Sequence, residues 1–212
     1  MQITDHTSLL NYLAKTFNLQ SYCEIGINKP EKNFDKIICK EKTGVDPALS
    51  VQYTTKPYRL FAMDSDKFFD WQLKKDVVEK YDLIFIDGLH HAEQVKRDLE
   101  NSLTCLSENG FIVIHDTCPT EEQFTHVPRD SKVWFGNVYQ FASNLCCYDG
   151  IGYSTLNIDC GCTVVWKTSK EVTLTERFEE VSFDLFMREK EAWLQIESVS
   201  EFLQYFNECK FT

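Results

Sequence analysis

Several things are scarce or missing in this sequence, and each closes off a class of function. No apolar run approaches the length of a membrane span, and the opening MQITDHTSLL lacks a basic segment followed by an apolar one. A spanning helix needs about 20 apolar residues in a row. The expectation is therefore a soluble, cytoplasmic protein. Positive charge is also short: 22 Lys and Arg stand against 33 Asp and Glu, a net charge of -11. A nucleic-acid groove needs a basic face, which this balance disfavours. No G-x-G-x-x-G follows the first strand-like run, and no phosphate-binding P-loop occurs anywhere. Backbone cradles for pyrophosphate or triphosphate are thus not to be expected. Paired C-x-x-C knuckles are missing too, although there are nine cysteines. An odd count without a secretion signal reads as reduced thiols. Cys23, Cys39 and Cys105 lie in or beside apolar stretches and are expected in the core. Cys146, Cys147, Cys160 and Cys162 resemble a zinc set only loosely; the plainer reading is two strand cysteines pointing the same way. Internal repeats, low-complexity segments and linkers are absent, so 212 residues read as one domain, 1–212.

What is present centres on residues 81–117, YDLIFIDGLHHAEQVKRDLENSLTCLSENGFIVIHDT. An apolar run, Leu83 to Ile86, stops at Asp87. Val95, Leu99, Leu103 and Leu106 then recur at helical spacing. A second apolar run, Phe111 to Ile114, is closed by His115 and Asp116. Two continuous apolar runs joined by an amphipathic helix predict parallel strands covered on both faces. Ligands of such sheets bind at the carboxyl ends of the strands.

The rest of the chain extends the pattern. A helix is predicted within residues 5–18, a strand over 21–27, a short helix near 34–38 and a strand over 42–46. A further strand over 59–63 precedes a helix from Asp66 to about Glu79, with Ser65 as its N-cap. Residues 48–56 carry no clear signal. The polar stretch 117–132 reads as an active-site loop, 133–145 as a helix, 152–158 and 162–166 as an antiparallel hairpin. The core thus spans 21–167, and C-terminal helices fill 172–208.

Five successive predicted strands end in an acid: Glu24, Asp46, Asp64, Asp87 and Asp116. One such acid only caps a helix or turn; five in a row call for cationic or donor-rich partners. Asp46 follows Gly26 by 20 residues, the spacing at which an acid holds ribose hydroxyls. The first turn, Glu24-Ile25-Gly26-Ile27-Asn28, carries an acid and a single glycine. That suits a ligand with a ribose and positive charge but no phosphate. S-adenosylmethionine (SAM), with its ammonium, sulfonium and ribose, is such a ligand.

E-I-G at the first turn, V-D after the second strand, D-S after the third, F-I-D-G-L-H-H and G-F-I-V-I-H-D together resemble class I SAM-dependent methyltransferases. More narrowly they resemble methyltransferase family 24, with D-G-x-H after the fourth strand and H-D after the fifth. The resemblance covers residues 21–145 and departs from the broader pattern at Asn28, where a second glycine is usual. It implies an α/β, Rossmann-like fold: a mostly parallel seven-stranded sheet with an antiparallel edge hairpin and helices on both faces. It implies that Glu24, Gly26, Asp46, Asp64, Ser65 and Asp87 bind the cofactor. It implies His90 as general base beside Asp87. A Mg²⁺ or Mn²⁺ ion could be held by Asp87, Asp116 and His115, with Thr117 as a further ligand. The expected activity is O-methylation of a sugar or glycan hydroxyl. A small natural product is the alternative acceptor, and a nicotinamide-dependent oxidoreductase the alternative enzyme.

Overall fold

The computed structural model describes residues 2–49, 58–175 and 179–208. In chain order, α1 (His6–Thr16) leads into β1 (Ser21–Ile25), β2 (Glu41–Val45) and β3 (Tyr58–Phe61). Then come α2 (Ser65–Leu73), β4 (Tyr81–Ile86), α3 (Ala92–Cys105) and β5 (Leu106–His115). After α4 (Val138–Ala142), the strands β6 (Tyr148–Asp149), β7 (Ile151–Leu156), β8 (Cys162–Lys167) and β9 (Thr173–Leu174) follow. The last elements are α5 (Phe183–Leu194), β10 (Ile196–Glu197) and α6 (Val199–Glu208).

Eight strands form the main sheet in the order β10-β7-β8-β5-β4-β1-β2-β3, while β6 and β9 pair separately. Strands β1 to β5 are mutually parallel, and β8 runs antiparallel to both β5 and β7. The apolar runs are continuous because each feeds two cores. In β4, Leu83 and Phe85 face the core under α1 and α6, while Ile84 and Ile86 face the core under α2, α3 and α4. In β5, Phe111 and Val113 alternate in the same way with Ile112 and Ile114. All eight of these side chains are buried. Each contributes roughly 1.5–3 kcal/mol of hydrophobic stabilisation. Cys23, Cys39 and Cys105 are buried in these cores as expected.

Several elements differ from their sequence expectation, for local reasons. The sheet gains an eighth strand, because the C-terminal helical stretch breaks at Gln195 (φ 49°) and Ile196–Glu197 pairs with β7. β1 ends at Ile25, where Gly26 turns to φ 92°. The stretch around Phe34 makes a single 3₁₀ turn. Asp64, not Ser65, caps α2: its carboxylate accepts from the Lys67 amide at 2.8 Å. That helix stops at Leu73, because after Phe68, Phe69 and Gln72 the face has only Lys75 and Asp76 to offer the core. Helix is confined to Val138–Ala142 in the stretch expected over 133–145. Gly136 lies at φ 59°, and a Cβ there would sit 1.8 Å from the His90 carbonyl oxygen. Most of the uncertain stretch 48–56 falls outside the described residues.

Candidate active site

The parallel arrangement brings the acidic strand ends to one edge. Asp46, Asp87 and Asp116 directly follow β2, β4 and β5; Glu24 is the penultimate residue of β1, and Asp64 lies three residues past β3. Above this edge opens a cavity of about 620 Å³. Its walls include Gly26, Asp46, Asp64, Ser65, Asp87 and His90, all singled out from the sequence. They also include Asn28, Gln94, Arg129 and Trp134, which were not assigned to the cofactor.

The acids are not left to repel one another, because the protein supplies their donors. Asp46 accepts from the backbone amides of Asn28 (2.8 Å) and Ala48 (2.7 Å), fixing the turns after β1 and β2. Asp64 caps α2 and pairs with Lys67. Ser65 receives the Gln94 side-chain amide at 3.1 Å. Glu24 lies beneath the edge, 2% exposed, and accepts from Tyr22 Oη (2.6 Å) and Asn33 Nδ2 (3.0 Å). Burial pushes its carboxyl up to about 8 despite the Tyr22 hydrogen bond, with the Asp87 charge adding to the rise. Native protein therefore holds this proton more tightly than unfolded chain. The associated stability is full below the ordinary carboxyl range and is lost as pH rises toward about 8. Between pH 5 and pH 8.5 the melting temperature of the wild type should fall further than that of Glu24→Gln. Parallel curves for the two proteins would exclude Glu24 as the source.

Gly26 has a structural duty at the same edge. At its φ of 92° an added Cβ would lie 2.1 Å from the Asp87 carbonyl oxygen and 2.6 Å from Gly88 Cα. The turn after β1 therefore packs directly on the turn after β4.

His90 is clamped at the cavity wall. Its ring stacks on Trp134, with centroids 5.3 Å apart and planes 9° apart. Its carbonyl accepts from the Asn137 amide at 3.1 Å. Asn137 Oδ1 in turn accepts from the Ala92 amide at 2.7 Å, satisfying the start of α3. Nothing in the sequence pointed to Asn137, since its partner Ala92 lies 45 residues away. His90 Nε2 lies 3.4 Å from Asp87 Oδ1, and Nδ1 lies 3.1 Å from Asp116 Oδ2. Asp116 itself sits in the left-handed region, φ 59°. Burial lowers the His90 pKa, but Asp87 and Asp116 outweigh it and leave the imidazole raised. Burial would also raise Asp87, yet His115 and His90 hold that carboxyl well below its usual range. Asp116 is pushed up to about 6 by burial, against the pull of both histidines.

The sequence reading grouped Asp87, Asp116 and His115 as metal ligands. In the structure the set with ligand atoms within 4.8 Å of one another is Asp87, His90 and Asp116. His115 reaches Asp87 through Nδ1 at 3.0 Å, but its other nitrogen belongs to a second set with His6 and Asp159. Thr117 is buried and accepts from Thr163 at 2.9 Å. Among the described residues no cysteine joins either set.

A family model for a methyltransferase domain matches residues 28–117. No curated protein matches the sequence. Among solved structures, the chain is similar to an SAH-bound methyltransferase from Podospora anserina: TM-score 0.57, 17% identity, covering 77% of this chain and 78% of that one. It is also similar to the O-methyltransferase TomG of Streptomyces achromogenes, solved with SAM and involved in tomaymycin synthesis: TM-score 0.56, 10% identity, 77% and 79% covered. An O-methyltransferase from Bacillus cereus in complex with SAH gives a TM-score of 0.55 at 9% identity, with 76% and 80% covered. Residues 28–117 thus match a methyltransferase-domain model, and the chain carries the α/β fold of the SAM-dependent methyltransferases it resembles.

Proposed function

We propose that the protein transfers the methyl group of SAM to a hydroxyl of a sugar or glycan. The observation that carries this reading is the cavity over the strand ends, which joins a nucleoside-sized space to the Asp87–His90–Asp116 cluster. Gly26, Asp46, Asp64 and Ser65 form its cofactor end. Asp46 accepts the ribose hydroxyls in addition to the two amides it already holds. Asp46→Ala should therefore weaken SAM binding by about tenfold or more, since hydrogen bonds to charged groups are worth ~1.5–3 kcal/mol. Calorimetric titration checks this; unchanged affinity would place the ribose elsewhere.

Methyl transfer requires acceptor oxygen, methyl carbon and sulfur in line, with the acceptor proton removed. His90 is the proton acceptor, oriented by Asp87 and by its stack on Trp134. Trp134 also lines the cavity, where an aromatic face suits a sugar ring. The same cluster fits a divalent cation. Among the described residues His90 Nδ1 is buried without a hydrogen-bond partner, and two carboxylates and an imidazole converge. Asp87 and Asp116 would hold Mg²⁺ or Mn²⁺ beside His90, which stays the proton acceptor; the ion when bound lowers the pKa of a hydroxyl. Treatment with a chelator should abolish turnover and Mn²⁺ should restore it; if chelated protein keeps full activity, His90 works without a metal.

The net charge of -11 disfavours a polyanionic acceptor, and no described helix is long and apolar enough to cross a membrane. Free, mostly buried thiols fit a reducing, cytoplasmic setting. The test of function is labelled SAM with a panel of free and glycan-linked sugars beside small phenolic hydroxyl compounds. Methylation of the phenols alone would move the acceptor to the natural-product class.

A further inference from the structure

Three side chains distant in sequence meet on the face of the sheet that carries α1. His6 opens α1, His115 ends β5, and Asp159 lies in the turn between β7 and β8. Each offers a ligand atom, and the three atoms lie within 4.8 Å of one another. We propose that His6, His115 and Asp159 form a second metal site, separate from the Asp87–His90–Asp116 cluster, that takes Zn²⁺ or a related divalent transition ion.

The donor set decides the class of ion. Two imidazoles and one carboxylate suit zinc and its neighbours, whereas magnesium and calcium prefer all-oxygen shells. Three protein ligands also leave a fourth position for water.

The state of His115 supplies an independent observation. Its Nε2 is buried, has no hydrogen-bond partner among the described residues, and lies 3.5 Å from Asp159 Oδ2. Its Nδ1 makes a 3.0 Å hydrogen bond to Asp87 Oδ1. A carboxylate that accepts a hydrogen bond from the N–H of one imidazole nitrogen leaves the lone pair of the other facing the cluster. That is the outer-shell arrangement found behind metal-bound histidines. His6 completes the group. Its Nδ1 contacts Asp159 Oδ2, its amide reaches the same oxygen at 3.3 Å, and its ring meets that of His115 at 4.7 Å. A bound ion would fasten α1 to the β7–β8 turn and hold His115 against Asp87. The site does not depend on the methyl-transfer reading.

The test uses metal-free full-length protein titrated with Zn²⁺ by calorimetry and with Co²⁺ by visible absorption. His90→Ala and Asp116→Asn each remove a member of the other cluster. Both should still take up one Zn²⁺ per chain, with tetrahedral Co²⁺ bands, and excess Mg²⁺ should not compete. Added to the His90→Ala background, His6→Gln, at a helix start, and Asp159→Asn, at a left-handed position that asparagine tolerates, should bind Zn²⁺ about 100-fold more weakly or not at all. Uptake by these double variants equal to that of His90→Ala alone would overturn the proposal. So would absence of uptake in both His90→Ala and Asp116→Asn. A lowered melting temperature of His6→Gln with unchanged zinc binding would reveal a plain ion pair and overturn it equally.

Discussion

His90→Ala is expected to lower turnover by about 10²–10⁴-fold, the usual contribution of a positioned acid–base group, while leaving SAM affinity nearly unchanged. The split follows from where the side chain stands. His90 lines the cavity beside Trp134 and faces Asp87 and Asp116, whereas Gly26, Asp46 and Ser65 form a different part of the wall. Its backbone carbonyl, which holds the Asn137 amide, survives the substitution. The loop that covers the ring therefore keeps its anchor. Single-turnover rates with labelled SAM, together with calorimetric SAM affinity, separate the two effects. Retained turnover would remove His90 from the chemistry, and a matching loss of SAM affinity would make its role structural.

Gly26→Ala should destabilise the protein and close off cofactor binding together. The new Cβ would meet the Asp87 carbonyl oxygen at 2.1 Å, its carbon at 2.5 Å and Gly88 Cα at 2.6 Å. All three are backbone atoms of the strand-to-helix turn, so no side chain can swing aside. The residue also sits at φ 92°, which a side chain opposes. Relief requires the turns after β1 and β4 to separate, which opens the floor of the cavity. A destabilisation of about 3 kcal/mol or more is expected, corresponding to roughly 6–12 °C in melting temperature for a chain of this size. SAM-induced thermal stabilisation should vanish with it. Gly88→Ala is the control: there the nearest contact is a flexible Ile25 methyl at 3.3 Å. If Gly26→Ala melts like Gly88→Ala, the two turns are not in rigid contact.

The sequence was informative wherever chemistry and periodicity coincide. Continuous apolar runs ending in acids identify β4 and β5, because buried parallel strands need apolar residues on both faces. The alternation of Phe85 with Ile84 between two cores is the direct consequence. Asp87, His90 and Asp116 were legible through the D-G-L-H and H-D motifs. Boundaries were less legible. Trp134 and Phe135 continue a helical apolar pattern with Val138 and Phe141, yet the chain cannot coil there because Gly136 lies against His90.

Which histidine faces which acid was beyond the sequence. His90 follows β4 and His115 ends β5, both stand near aspartates, and either could be assigned to the Asp87–Asp116 pair. Local spacing fixes that both reach the sheet edge, because the strands are parallel and end in register. Side-chain direction is fixed only when the faces are packed. Trp134 and Asn137 hold His90 on the cavity side, while α1 brings His6 against His115 from the opposite layer. The row of acids was thus written in the chain itself. Which way His115 turns was decided by the packing of α1 against the β7–β8 turn, where His6 and Asp159 meet from 153 positions apart, a contact that no local pattern encodes.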